Sequence, residues 1–471
     1  TACSNDGSLP LAGGLPEARM VEEIRGAKSP FIGSATPFDL EGAGFVEQEW
    51  VASGEAVGYV SAAPQGGDGR WSFAESGTAP YRTRVLVRRP ERAADFSGTV
   101  LVEWLNVSSG LDANPDWASL VEEILRRGHA WVGVSAQQIG VEGGPVLVSP
   151  PGVQDIVGKG LRVLDPERYG SLEHPGDGFS FDIFTQVARA VRAGGPAMGD
   201  LRAERVIAVG ESQSAIALTT YYDGVQPLTG AFDGFFVHSR AKVGLPLVGP
   251  GEYADLAGGF GAVPAILRTD LATPVFELQA EGDVTSVLES YAVRQPDSET
   301  FRLWEVAGTS HADTHLLGPL AALADCGAAV NDGPMHLVAK AALCALDDQV
   351  RDGTSPPTAP LLDVRPGGEG GRGDIQRDRD GIAIGGVRTP PVDVPAVLLS
   401  GVPGSNPDLF CILLGTTAPL PPARLAELYP SRAEYLRRFE ASADATIAAG
   451  FVLPEDRDAL LGYARPDAIA P

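Results

Sequence analysis

The chain has 471 residues, 44% of them hydrophobic, and carries 36 Lys and Arg against 61 Asp and Glu, a formal net charge of −25. This composition is that of a globular protein rather than a disordered one. So large a negative charge argues against nucleic acid and anionic membrane surfaces as partners, and no run of ~20 apolar residues offers a transmembrane helix.

In chain order, the opening Thr1-Ala2-Cys3-Ser4-Asn5-Asp6 resembles the end of a bacterial lipoprotein signal, where small residues precede a lipidated cysteine. It predicts an exported protein, extracellular, periplasmic or lipid-anchored through Cys3 at the cell surface; the alternative is an arbitrary start. Residues 1–20 are rich in Gly, Pro and Ala and read as a flexible leader. Phe45–Ser53 and Ala56–Ala62 alternate like strands and, with Gly54 between them, predict an antiparallel pair. Tyr81–Arg89 is a further alternating strand closed by Pro90. Gly98–Leu105 is an apolar run of central-strand type. Trp117–Arg127 has helical spacing up to Gly128, and Ala130–Ser135 is the next buried strand. Residues 136–178 are irregular and rich in Gly and Pro; Phe179–Ala193 returns to helical periodicity.

Strands follow at Phe232–His238, Pro274–Gln279 and Phe301–Val306, with residues 240–270 between the first two reading as a lid or rim. Met335–Val350 is helical. Residues 354–388 form a Pro/Gly/Asp/Arg-rich linker or long loop, Val392–Leu399 is strand-like, and one charged amphipathic helix is expected around Arg424–Ala449. Apolar strands alternating with helices predict an α/β fold with a mostly parallel sheet covered on both faces. The expected organisation is a leader at 1–20, a catalytic domain at 21–350 with lid or rim segments 136–178 and 240–270, and an extension at 351–471 packed on the core. None of Cys3, Cys326, Cys344 and Cys411 forms a C-x-x-C pair, so no zinc or redox motif is indicated. Cys344 reads as a buried apolar residue. Cys326 and Cys411 sit near turns, and their pairing stays open.

The chemistry points to Val206–Ala217, V-I-A-V-G-E-S-Q-S-A-I-A: a buried strand, a sharp turn with Ser212 at its tip, then a helix. This is the form of the G-x-S-x-G nucleophile elbow of α/β hydrolases, with Ser214 in place of the second glycine. A serine nucleophile needs a base, and the base an orienting carboxylate, which in this fold follow it in the order acid then histidine. His129 and His174 precede the serine, His238 comes before any candidate acid, and His336 lies in a helix. His311, in V-A-G-T-S-H-A-D directly after a strand, is the expected base, with His315 as the competing choice. The acid is expected in the turn after Pro274–Gln279 at Asp283, with Glu281 the alternative and Glu277 placed inside the strand. The oxyanion hole is expected from the N–H of Gln213 and that of Val107, with Ser108 next, in the loop Asn106–Gly110. The glycosylation pattern Asn106-Val107-Ser108 ends a buried strand, which argues against its use.

The segments V-E-W-L-N-V-S-S-G-L-D, V-G-V-S-A-Q, R-Y-G-S-L-E-H-P-G-D, G-E-S-Q-S-A, F-D-G-F-F-V-H-S-R, V-A-G-T-S-H-A-D, D-G-T-S-P-P and G-G-V-R-T-P occur in this order. Together they resemble a bacterial family of uncharacterised alpha/beta hydrolase domain proteins, from about residue 45 to the C-terminus. The resemblance implies an α/β-hydrolase fold with Ser212 as nucleophile and His311 as base, and it implies no substrate.

The sequence thus predicts a serine esterase with catalytic Ser212, Asp283 and His311, acting on a small-molecule or polymeric ester without cofactor or metal. The alternatives are an amidase, lactonase or acyltransferase on the same residues, or a non-catalytic surface protein on a hydrolase scaffold. Arg240 and Arg388 are read as structural before substrate-binding. Asp374, Asp378 and Asp380 are read as a solvated loop before a calcium site, since they lack the EF-hand spacing.

Overall fold

Six short strands are buried along nearly their whole length: β4 (Thr99–Trp104), β5 (Ala130–Val134), β6 (Arg205–Glu211), β7 (Gly234–His238), β8 (Val275–Ala280) and β9 (Phe301–Val306). Strands apolar on both faces need cover on both faces, the environment of a parallel sheet. In the computed structural model, which describes residues 16–26, 31–255, 262–367 and 372–470, they lie side by side as β5-β4-β6-β7-β8-β9, all parallel. Three antiparallel strands complete the sheet beyond β5: β1 (Arg19–Glu23), β2 (Phe45–Ser61) and β3 (Phe73–Pro90).

Successive side chains point to opposite faces of a strand, and the core divides accordingly. Val100, Val102 and Trp104 of β4 and Val206 and Ala208 of β6 pack with Phe181, Phe184 and Val187 of the helix Ser180–Ala193. Leu101 of β4 and Ile207 and Val209 of β6 face the other way, onto the helices Pro115–Arg127 and Met335–Asp352. The C-terminal part joins this second layer. Ala443, Val452 and Leu460 are buried in it, and Phe451 meets Trp304 of β9 edge to face at 5.0 Å between ring centres. A smaller cluster of Leu425, Tyr429, Tyr435 and Phe439 holds the extension together. Cys326 and Cys411 are disulfide-bonded, while Cys344 is a free, buried thiol.

Several elements differ from the sequence reading. Phe45–Ser53 and Ala56–Ala62 are not a hairpin but parts of one strand, β2, paired with β3 along its length. Gly54 is not a turn: a side chain there would come within 2.6 Å of Gln186 Oε1, so the glycine admits a neighbour rather than reversing the chain. The helix expected at Arg424–Ala449 is two, Pro422–Leu428 and Arg432–Ala448, because Pro430 cannot continue the first and Ser431 caps the second by accepting from Glu434 N–H at 3.2 Å. Val392–Leu399 is a helical turn, Pro390–Asp393, followed by a short strand, Val397–Ser400. Residues 136–178 hold three short helices of four or five residues. The leader reading meets a strand at Arg19; residues 1–15, with Cys3, lie outside the described residues. Among the described residues no helix is long and apolar enough to cross a membrane.

Candidate active site

β6 ends at Glu211 and a helix starts at Gln213, so Ser212 alone makes the turn, with φ +62° and ψ −120°. Positive φ is costly for a residue with a Cβ and is held only by the surrounding structure. Here Ser212 N–H donates to His238 O at 2.9 Å, and Ser212 O accepts from Ile216 N–H at 3.0 Å. Gly210 makes the turn possible: a Cβ there would lie 3.0 Å from Ser214 Cβ and from Leu218 Cδ1. Ser214 is fully buried, and its hydroxyl finds no partner among the described residues. Serine at this position therefore fits by size and contributes no hydrogen bond.

The three residues predicted to cooperate are brought together from the ends of three strands. Ser212 Oγ lies 2.8 Å from His311 Nε2, and His311 Nδ1 lies 2.7 Å from Asp283 Oδ1. Asp283 is fully buried in the turn after β8, where its Oδ2 accepts from Ala280 N–H at 2.7 Å. A carboxylate accepting from Nδ1–H leaves Nε2 as the acceptor for the serine proton. Glu281 is placed elsewhere. It accepts from Gly308 N–H (2.7 Å), from Gly401 N–H (2.9 Å) and from Arg377 (2.7 Å), tying β8 to the loop after β9 and to the extension. Glu277 pairs with the buried Arg240 at 3.1 Å. His315 stacks flat on His336 at 3.6 Å, with its Nε2 3.2 Å from Ala118 O.

The two N–H groups expected to serve an oxyanion differ in their surroundings. Gln213 N–H opens its helix and so has no acceptor within it. Val107 N–H is not free, contrary to the sequence reading: it donates to Gln213 Oε1 at 3.0 Å. Ser108 N–H is taken as well, by Asn106 Oδ1 at 2.9 Å. The physical reason is burial. The Gln213 side chain is enclosed and must satisfy its amide, so its oxygen takes the loop N–H and its Nε2 donates to Gln137 Oε1. Gln137 Oε1 also accepts from Trp104 Nε1 at 3.0 Å. Asn106 Nδ2 donates to Glu211 O at 3.0 Å, which ties this loop to the elbow.

Sequence reasoning missed this amide network, although two glutamines at buried strand and helix ends, Gln137 and Gln213, were its signal. It also missed Glu211. Burial first, and then the neighbouring carboxylates of Asp116, Asp283, Glu103 and Asp313, push the Glu211 carboxyl well above the ordinary carboxylate range. Nearby, His238 Nδ1 lies 2.9 Å from the buried Asp116, a second His–Asp pair beside the first.

Ser212 and His311 open into a cleft of about 340 Å³ with mostly apolar walls. Those walls come from residues 106–118, from residues 148–156, from the chain after His311 and from residues 410–414. The cavities at the serine take no lining residue from the described part of 240–270, the segment expected to act as a lid or rim. Arg388 pairs with Asp393 at 2.5 Å, and Asp380 with Arg424 at 2.8 Å. Asp378 Oδ1 accepts from Asp380 and Ile382 N–H. Among the described residues no cluster of three His, Cys, Asp or Glu side chains could hold a metal ion.

A mostly parallel sheet with helices on both faces, and a serine at the tip of a strand–turn–helix, defines an α/β hydrolase. The chain belongs to the alpha/beta hydrolase domain family, whose profile matches residues 16–462. No curated protein matches the sequence. Among solved structures, an alpha-beta serine hydrolase homologue from Coxiella burnetii is similar at 15% identity, over 52% of this chain and 88% of that one, with a TM-score of 0.28. An esterase from Rhizomucor miehei is similar at 12% identity over 63% and 84% (TM-score 0.30), and a glucuronoyl esterase from Solibacter usitatus at 10% over 64% and 82% (TM-score 0.29).

Proposed function

We propose that the protein hydrolyses carboxylic esters through Ser212, His311 and Asp283. The observation that carries this reading is the unbroken chain from Ser212 Oγ to His311 Nε2 (2.8 Å) and from His311 Nδ1 to Asp283 Oδ1 (2.7 Å). His311 takes the serine proton as Oγ attacks the ester carbonyl, and Asp283 holds the imidazole tautomer and stabilises the imidazolium. Gln213 N–H donates to the developing oxyanion. His311 then protonates the leaving alcohol, and water activated by the same histidine releases the acid from the acyl-enzyme. Chromogenic esters and their matching anilides test the reading. The wild type should turn over the esters well above the anilides, and Ser212→Ala and His311→Ala should each lower ester kcat by about 10⁴-fold or more. Full activity in either variant would refute the assignment.

We further infer an oxidising compartment outside the cytosol, because a disulfide joins Cys326 and Cys411 and such bonds persist in exported proteins. Fractionation of the native host cells tests this: the protein should be recovered outside the cytosol, and recovery with the cytosolic enzymes would contradict it.

A further inference from the structure

Two cavities of unequal size meet at Ser212. The cleft of about 340 Å³ takes in His311 but not Gln213, and a pocket of about 30 Å³ takes in Gln213 but not His311. Ser108, Val148 and Leu413 line both and form the partition between them. The chemistry proposed above, on which this inference rests, orients an ester across that partition. Ser212 Oγ bonds to the acyl carbon while its proton passes to His311 Nε2. The carbon–oxygen bond to the alcohol then breaks as the same proton moves to the departing oxygen. That oxygen must lie on the His311 side, so the alcohol half occupies the large cleft. The acyl half lies on the other side, with its carbonyl oxygen toward Gln213 N–H.

The sizes then set the substrate. The small pocket, closed by Ile216, Val287, Leu288 and Leu409, has room for about two water-sized groups. The large cleft is walled by Leu316, Leu317, Leu320, Phe410 and Leu414; among the described residues no lysine or arginine lines it, and its one acidic side chain is Glu211. We propose that the protein is selective for esters of a short acid, acetate in size, with a bulky, uncharged, apolar alcohol, and that Val287 and Leu409 set the acyl limit.

Two ester series test this. With 2-phenylethanol as the fixed alcohol and the acid lengthened from acetate through butyrate and hexanoate to octanoate, kcat/KM should fall by roughly 10-fold or more. With acetate fixed and the alcohol enlarged from ethanol to octanol and 2-phenylethanol, kcat/KM should rise. Both Val287 and Leu409 are only half-buried, so truncation there spares the core. Val287→Ala and Leu409→Ala should each raise the ratio of hexanoate to acetate kcat/KM. Octanoate hydrolysed as well as acetate, or an acyl profile unmoved in both variants, would overturn the inference and leave the hydrolase reading standing. If no ester is cleaved and a fluorophosphonate fails to label Ser212, the hydrolase reading falls and this inference with it.

Discussion

At the residue scale, the two carboxylates in the turn after β8 separate by what they touch. Asp283 meets His311, whereas Glu281 holds two backbone N–H groups and Arg377. Asp283→Asn should therefore lower kcat by about 10⁴-fold with the fold intact. Glu281→Gln should lower Tm while leaving kcat of the folded protein near that of the wild type; the reverse pattern would exchange their roles. Glu211 gives a pH signature. Its folded pKa lies well above the ordinary 4.5, so between those two values the folded state holds a proton that the unfolded chain has released. Stability then falls as pH rises above 4.5 through the folded pKa. Glu211→Gln lacks that loss, so its Tm advantage over the wild type should grow with pH across this window. A constant difference in paired melting curves would contradict the assignment. The meeting of Ser212, His311 and Asp283 was legible because chain order and strand ends constrain their positions. The bond on Val107 N–H was not, because the partner that takes it is a side chain 106 residues away in sequence.

At the scale of elements, the apolar strands β4 to β9 and the helix end at Gly128 could be read from hydrophobic runs and from the glycine that closes the helix. What misled was a glycine taken in isolation and a proline left out of account. Gly54 looked like a turn and is a point of close approach, while the single helix expected at Arg424–Ala449 passed over Pro430, which breaks it. The walls of the cleft were hidden for another reason. They are joined by the Cys326–Cys411 bond, which spans 85 residues and ties the chain after His311 to the extension. That bond removes conformational freedom from the unfolded chain, worth about 4.6 kcal/mol in a loop-entropy account. A Cys326→Ser, Cys411→Ser double variant should lose stability of that order in guanidinium denaturation, and an unchanged midpoint would show that the wall stands without it.

At the scale of the whole molecule, the sheet gathers residues from distant parts of the chain onto one edge. β6, β8 and β9 lie in the order β6-β7-β8-β9, and the turns beyond their carboxyl ends carry Ser212, Asp283 and His311. The extension is part of this body, since Val452, Leu460 and Phe451 pack on the sheet's helix layer or on Trp304. We therefore propose residues 351–471 as integral to the catalytic domain rather than a separable module. The parallel architecture was legible in the apolar strands; how far residues 351–471 enter the core was not, because burial from a distant segment leaves no periodic mark. The most direct measurement is intact-mass and peptide mapping after treatment with a fluorophosphonate. The account requires a single adduct, on Ser212, lost in Ser212→Ala and strongly slowed in His311→Ala. An adduct on another residue, or an unlabelled Ser212 in protein that still cleaves esters, would contradict it.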